Sequence, residues 1–195
     1  MGMQTIEEPI YYTREMVRAL NEASRSSPTG KDGPRYETIH GELFVMTSPR
    51  PWHEVVANRL LRLLGNYLEE YRIALAFSGG AELTWGLDDV LVKPDVSVVG
   101  IEDVRTMDYD RFGDVLLVTE VLSPSTTKKD RFQKRRLYQE QGVPLLWIVD
   151  ADARYAEVWT PDVHFPSVER EALRWHPEGV ATPVVVAFDE LFRAV

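Results

Sequence analysis

The feature that most constrains the fold of this chain is the run Val-Leu-Leu-Val-Thr-Glu-Val-Leu at residues 115–122. It is bounded by Gly113-Asp114 and by Ser123-Pro124, which are residue types typical of turns. A short and almost entirely apolar run between turns predicts a strand that is buried on both faces of a sheet. Glu120 would then be a buried carboxylate, and such a group persists only beside a cation, a metal ion or a proton. The partner of Glu120 therefore decides what the chain can do.

The composition limits the answers. With 195 residues, 44% of them hydrophobic, the chain can bury one sizeable core, and we expect a single domain over residues 1–195. Cysteine is absent, which excludes disulfides, thiolate metal sites and a cysteine nucleophile, and a cytoplasmic location is the simplest expectation. The acidic N-terminal residues do not resemble a signal peptide and no apolar run approaches membrane-spanning length, so we expect a soluble protein with no membrane partner. The formal net charge of -9 repels polyanions, so any nucleic-acid binding requires a local basic patch or bound cations.

Caps, turns and apolar spacing predict the elements that precede this run. Thr13 is predicted to cap a helix over residues 14 to about 23, and residues 24–34 have the composition of an exposed loop. The segments 36–39 and 42–46, joined by His40-Gly41, predict a β-hairpin. From Pro51 onward, apolar residues recur at helical spacing and predict a long helix. We expect Met16, Val17 and Leu20 on one face of the first helix, and Val56, Leu60, Leu63, Leu64, Tyr67, Leu68 and Tyr71 on one face of the long helix.

The second half of the chain predicts a sheet. Candidate strands lie at residues 73–77, 82–85, 91–99 and 115–122, followed by a helix over about 128–141 and a strand at 145–149. A strand, a helix and a strand at this spacing form a βαβ unit with parallel strands and a right-handed crossover. We expect residues 155–160 to return as a hairpin partner, and residues 184–188 with a short last helix to form a closing edge. These elements predict a mixed α/β fold in which a central mixed sheet is flanked by helices.

A second acid is predicted near Glu120. Asp95 follows Pro94 inside the candidate strand 91–99, and if this strand lies beside residues 115–122 the two carboxylates project together. Two carboxylates held close form a site for a hard divalent cation such as Mg²⁺. Two plainer interpretations remain open: Asp95 can be a surface acid paired with Lys93, and Glu120 can belong to a buried structural ion pair.

The helix after Glu120 carries charged residues on its apolar side. At about 100° per residue, Asp130, Lys134, Leu137, Tyr138 and Gln141 fall on one side of this helix. Leu137 and Tyr138 require that side to pack on the sheet, so Lys134 points inward and is available to Glu120. An internal pair between Asp130 and Lys134 that only stabilises the helix is the open alternative.

An acid on one strand, an acid on the next and an inward lysine on the following helix form a specific pattern. The residues that carry it are 36–42 (Tyr-Glu-Thr-Ile-His-Gly-Glu), His53, 93–99 (Lys-Pro-Asp-Val-Ser-Val-Val), 120–126 (Glu-Val-Leu-Ser-Pro-Ser-Thr), Asp130, Lys134, Tyr138, 142–144 (Gly-Val-Pro) and 147–150 (Trp-Ile-Val-Asp). With these residues the chain resembles the PD-(D/E)XK nuclease superfamily and, more narrowly, its large bacterial family of putative restriction endonucleases.

The resemblance implies a restriction-endonuclease-like core and Mg²⁺-dependent hydrolysis of DNA phosphodiester bonds, with Mn²⁺ as an alternative ion. It implies Asp95, Glu120 and the main-chain carbonyl of Val121 as metal ligands, and a lysine that orients or deprotonates the attacking water. The chain departs from the superfamily pattern at Leu122, where the lysine usually stands, so Lys134 would replace it from the helix. A homodimer is also expected from the resemblance, since two copies cut both strands of a duplex most easily.

Several other residues have two interpretations each. Glu42 is a candidate third carboxylate of the catalytic site, or else part of a hairpin salt bridge. Asp130 and Tyr138 are candidates for orienting the site residues, and Tyr138 is equally suited to packing. His53 is expected to be a helix-start residue rather than a catalytic base. Among the basic residues of the helix after Glu120, DNA contacts are expected for Lys128, Lys129 and Arg131, which, like Arg135 and Arg136, can also form a solvated helix face.

Two rival functions compete with the nuclease hypothesis. A non-catalytic nuclease-like scaffold could keep the acids and the lysine for stability and act as a binding or assembly module. A metal-dependent hydrolase of small phosphate esters would need the same ions but would not act on DNA.

Overall fold

The computed structural model describes residues 10–26, 33–46, 48–122 and 128–195, except for the side chains of residues 128–130. Within these ranges, no helix combines the length and the apolar character needed to cross a membrane. The elements are, in order, α1 (Arg14–Arg25), β1 (Arg35–Ile39), β2 (Glu42–Met46), α2 (Pro51–Tyr71), β3 (Ala74–Ser78), β4 (Val96–Gly100), α3 (Ile101–Val104), β5 (Val115–Leu122), α4 (Lys128–Glu140), β6 (Leu146–Asp150), β7 (Tyr155–Trp159), β8 (Ser167–Glu169), β9 (Ala172–Trp175), β10 (Val184–Ala187) and α5 (Phe188–Leu191).

A six-stranded mixed sheet in the order β3-β4-β5-β6-β7-β8 forms the centre of the fold. The pair β5–β6 is parallel, whereas the other four pairs are antiparallel. The helix α4 connects the two parallel strands, which confirms the predicted βαβ unit. The mixed α/β fold with a central sheet and flanking helices is therefore the one expected from the sequence.

Both faces of this sheet are covered, as the apolar run of β5 requires. On one face, Leu117 and Val121 of β5 pack in a core with α2, which buries Leu60 and Leu64. On the other face, Val118 packs in a second core that includes residues of α4 and of the β1–β2 hairpin. Since successive side chains of a strand point to opposite faces, Glu120 lies on the same face as Val118, beneath α4 and the hairpin.

The N-terminal predictions are confirmed in outline and corrected in detail. The hairpin turns at His40 and Gly41, whose φ angles of 51° and 78° are both in the left-handed region that such a turn requires. Thr13 caps α1 through its side chain, but α1 continues to Arg25 and its buried residues are Val17 and Asn21. Of the residues expected on one face of α1, Val17 is buried whereas Met16 is 43% exposed, and the buried Asn21 forms two hydrogen bonds with the main chain of Tyr36 in β1.

One predicted strand is wrong and another is shorter than predicted. The segment 82–85 forms only an isolated bridge, from Leu83 to Val92, and the strand predicted at 91–99 begins at Val96 as β4. Pro94 has no N–H to donate to a neighbouring strand, so the ladder cannot run through it. Asp95 therefore lies immediately before β4 rather than inside a strand.

The C-terminal strand does not close the main sheet. β10 pairs with β9 in a separate two-stranded sheet. Its inward residues Val184 and Val186 belong to the same core as α2 and α5. In this position the apolar face of β10 covers α2. The edges of the main sheet are β3 and β8.

The core formed with α2 makes a direct stability prediction. Leu64→Ala removes a fully buried side chain, so we expect the free energy of unfolding to fall by about 2–5 kcal/mol. The matched variant Leu75→Ala, at a position 40% exposed on β3, should lose less than about 1 kcal/mol. Urea unfolding of both variants measures the difference, and equal losses would contradict the described core.

Candidate functional site

A pocket lies where the hairpin, the N-terminal turn of α2, the end of β5 and the helix α4 meet. Of the residues predicted from the sequence, the pocket is lined by Asp95, Glu120, Val121, Arg131, Lys134 and Tyr138. It is also lined by Glu37 and His53, which the sequence analysis did not place in the site. Two of the predicted acids, Asp95 and Glu120, therefore converge with Lys134 in one pocket.

Glu120 is a largely buried carboxylate with two donors on one oxygen. Its Oε1 accepts a hydrogen bond from the Tyr138 hydroxyl at 2.6 Å and lies 3.2 Å from Lys134 Nζ. Burial raises the pKa of Glu120 to about 7, because the charge of Lys134 and the bond from Tyr138 only partly offset burial and the nearby charges of Asp95 and Glu37. The site therefore carries more acid than its own lysine neutralises.

Lys134 points inward from α4, as predicted, and lies between two acids. Its Nζ is 2.8 Å from Oε2 of Glu37 and 3.2 Å from Oε1 of Glu120, and its side chain is 8% exposed. Burial alone lowers the pKa of this lysine, but the charges of Glu120 and Glu37 and the bond to Glu37 outweigh it and raise the pKa. Lys134 is therefore held as a cation. The alternative pair with Asp130 lies outside the described residues, because the Asp130 side chain is not among them.

Asp95 is tied to the end of β5 and to the start of α2. Its Oδ2 accepts a hydrogen bond from the main-chain N–H of Val121 at 2.7 Å and lies 3.0 Å from His53 Nε2. The alternative that Asp95 is a surface acid paired with Lys93 is wrong, because Lys93 Nζ pairs with Glu82 at 3.1 Å. Asp95 is instead a largely buried acid whose side chain is 16% exposed.

His53 is a site residue that we expected to be only a helix-start residue. Its side chain is 9% exposed and faces Asp95 from the first turn of α2. Burial lowers its pKa, but the hydrogen bond to Asp95 and the charges of Asp95, Glu54 and Glu120 outweigh burial and raise the pKa. The signals in the sequence were its place in the family pattern and its position near the start of the long helix, and neither reveals a contact with a distant acid.

Glu37 is the acid that the sequence analysis missed. Its Oε1 accepts a hydrogen bond from the main-chain N–H of Lys93 at 3.1 Å, and its Oε2 lies 2.8 Å from Nζ of Lys134. The side chain of Glu37 is 4% exposed. Glu42, which we predicted instead, is exposed, accepts a hydrogen bond from Gln133 at 2.9 Å and does not line the pocket.

The register of the hairpin places Glu37 and Glu42 at different distances from its turn. Glu37 lies opposite Phe44 in the middle of the hairpin, whereas Glu42 lies at the turn. Directly opposed residues share a face, so Glu37 shares the face of the buried Phe44. The two-residue turn at His40-Gly41 was therefore a signal that could have identified Glu37.

Of the remaining predicted residues, Tyr138 and Arg131 line the pocket, whereas the side chains of Lys128 and Lys129 are not described. Tyr138 both packs in the core and donates to Glu120, so its two interpretations hold together. Arg131 lines the pocket, but its guanidinium is paired with Glu157. The predicted DNA contacts of Lys128 and Lys129 lie outside the described side chains.

The donor set fits an open site for a hard divalent cation. Among the described residues, the contacts of the two carboxylates converge on Oδ2 of Asp95 and Oε1 of Glu120, which leaves the other oxygen of each for a ligand. No group of three or more His, Asp or Glu residues in the described ranges could hold a metal by itself. Mg²⁺ commonly takes one or two carboxylates and completes its shell with water and substrate phosphate, so two acids are sufficient.

Comparisons with known proteins agree with this description of the fold. The family model Uma2, described as "Putative restriction endonuclease", matches residues 22–185. The chain is also similar to a crystal structure described as a putative nuclease belonging to DUF820 from Anabaena variabilis, with a TM-score of 0.63 and 21% sequence identity. That similarity covers 82% of this chain and 90% of the other and shows a common fold. Among curated proteins, no match was found.

The raised pKa of Glu120 predicts how the stability of the metal-free protein depends on pH. A carboxyl whose pKa rises from 4.5 to about 7 on folding stabilises the folded state fully below pH 4.5, and this contribution is lost as the pH rises to about 7. Urea unfolding with EDTA across this range should show stability falling with pH, and Glu120→Gln should reduce that slope. An identical slope in the variant would contradict the assignment.

Proposed function

Because the chain belongs to the Uma2 family of putative restriction endonucleases, we propose that this pocket is the active site of a Mg²⁺-dependent endonuclease that hydrolyses phosphodiester bonds of DNA. Mn²⁺ is the alternative ion. The observation that carries the proposal is the convergence of Asp95 and Glu120 with a cationic Lys134 in one pocket. A homodimer that cuts both strands of a duplex is part of the same proposal.

Asp95 and Glu120 are the residues that would hold the ion, together with the main-chain carbonyl of Val121. The shortage of positive charge around Glu120 supports this role, because a divalent cation would counteract the burial and the repulsion from Asp95 and Glu37 that together raise the pKa of Glu120. When bound, such an ion activates water and stabilises negative charge on a phosphoryl oxygen. His53 and the Val121 N–H hold Oδ2 of Asp95, so the orientation of this carboxylate does not depend on the ion.

Lys134 has the properties of an orienting cation rather than a general base. Its raised pKa keeps the ammonium group protonated, so it is a donor to the attacking water or to a phosphate oxygen. Of the two functions open for this lysine, orienting the water is the one supported. Glu37 and Tyr138 limit its movement and that of Glu120, which lowers the cost of ordering the site during the reaction.

The acids of the pocket also matter for the substrate. A chain with a net charge of -9 repels DNA at long range. A divalent cation at Asp95 and Glu120 would neutralise the acids nearest the phosphate, so metal binding and DNA binding are expected to support each other.

The scaffold and the small-ester alternatives predict different activities for the same residues. A scaffold needs the acids and the lysine only for stability, and no metal-dependent cleavage accompanies them. A hydrolase of small phosphate esters needs the metal but gains nothing from the longer phosphate chain of DNA.

Cleavage provides the direct test. A plasmid-nicking assay with Mg²⁺ or Mn²⁺ should show cleavage by the wild-type protein and a loss of about 100-fold or more in Asp95→Asn and Glu120→Gln, since each removes a metal ligand. Glu102→Gln, on an exposed side chain of α3, is the matched control and should cleave at the wild-type rate. Absence of metal binding and of nicking in the wild type would favour the scaffold.

Stability separates the nuclease from the scaffold in a second way. Glu120→Gln should leave the free energy of unfolding at pH 7 unchanged or higher, because it removes one of three clustered acids. Lys134→Met should lower it by about 3–5 kcal/mol, because it leaves buried Glu37 without its cation. Chemical unfolding of both variants measures these effects. If Glu120→Gln were as destabilising as Lys134→Met, the acid would be a structural partner and the scaffold would be favoured.

A further inference from the structure

Most of the positive charge around the pocket is already paired with acids. Five lysine and arginine side chains line it, and three of them are in ion pairs. The pairs are Lys134 with Glu37 and Glu120, Lys93 with Glu82, and Arg131 with Glu157. The other two, Arg35 and Arg135, have no carboxylate partner in the described part of the chain. These two arginines therefore have charge available for a ligand.

Arg135 is held in place by aromatic rings rather than by an acid. Its guanidinium carbon lies 4.3 Å from the centre of the Trp159 ring and 5.6 Å from that of Phe132. Its Nε is buried and has no hydrogen-bond partner among the described residues. Aromatic contacts order a guanidinium without neutralising it, so Arg135 is positioned for an anion before the anion arrives.

Arg35 borders the pocket from a different element. It is the first residue of β1 and lies two positions before Glu37, so both side chains are on the same face of that strand. Arg35 and Asp95 also line a neighbouring groove that includes Gly79 of the turn after β3 and Asn58 of α2. A chain that continues from the pocket along this groove would pass Arg35.

We propose that Arg35 and Arg135 bind backbone phosphates of a DNA strand next to the phosphate at Asp95 and Glu120. The inference rests on the proposed function and specifies its substrate as a polynucleotide. Two arginines on separate elements, neither paired with a carboxylate among the described residues, suit a ligand with more than one phosphate, whereas a small phosphate ester has only the reacting one. In a chain with a net charge of -9, two such arginines beside an acidic pocket favour a specific anionic ligand.

Binding without cleavage tests the proposal. Fluorescence anisotropy with a labelled DNA oligonucleotide, in Ca²⁺ and separately in EDTA, measures affinity as a function of salt concentration. Arg35→Gln and Arg135→Gln should each weaken binding several-fold and make the slope of log K against log salt shallower by about 0.7–0.9. Arg136→Gln, which removes a charge from a side chain 79% exposed on the same helix, is the matched control and should bind as the wild type does.

A small diester separates phosphate binding from a general effect on the site. Mn²⁺-dependent hydrolysis of bis(p-nitrophenyl) phosphate, which has no flanking phosphates, should be reduced much less than DNA binding in Arg35→Gln and Arg135→Gln. Arg135→Lys, which keeps the charge, should retain most of the DNA affinity, and urea unfolding verifies that each variant is folded.

The outcomes distinguish this inference from the function on which it rests. Wild-type binding and salt dependence in both glutamine variants would overturn it, as would equal losses on DNA and on the small diester, or no DNA binding by the wild type. If the wild type binds DNA through both arginines but cleaves none, the proposed nuclease function fails and the phosphate contacts stand.

Discussion

The site depends on one buried cation, the ammonium group of Lys134 between Glu37 and Glu120. Each of these acids comes from a different part of the fold, Glu37 from the hairpin and Glu120 from the centre of the sheet. Without the lysine, the carboxylates of Glu37 and Glu120, whose side chains are 4% and 16% exposed, would lose the cation between them, and an uncompensated charge in such a place is strongly destabilising. The lysine therefore joins the hairpin to the sheet and at the same time makes the acidic pocket possible.

Lys134 neutralises only part of the negative charge in the pocket, and the remaining negative charge determines the chemistry of the pocket. One lysine serves two acids, and Asp95 adds a third negative charge whose own contacts are a histidine and a main-chain N–H. Burial and these neighbours together raise the pKa of Glu120 to about 7. A protein that only needed a stable core would pair its buried charges evenly. An uneven cluster in a pocket is typical of a functional site.

Local sequence patterns were sufficient to predict much of the fold and part of the site. The apolar run of β5, the stripe of α2 and the inward side of α4 are each determined by residues close together in the chain, because burial of a strand or helix follows a short period. The parallel β5–β6 pair followed from the length of the connection. The register of the hairpin was also present in the sequence, and it would have added Glu37 to the face that carries Phe44 and Glu42.

By itself, then, the sequence determined the strand β5, the helices α2 and α4, that Glu120 is largely buried, and that Lys134 points toward the sheet. The tertiary structure decided which distant groups meet them: His53 reaches Asp95, Lys93 turns to Glu82, and β10 pairs with β9 over α2. These contacts join residues far apart in the chain, so the short spacing of apolar residues along a strand or helix does not reveal them. A strand or helix is selected by its neighbours in sequence, whereas the partner of a buried charge is selected by the packing of the whole molecule.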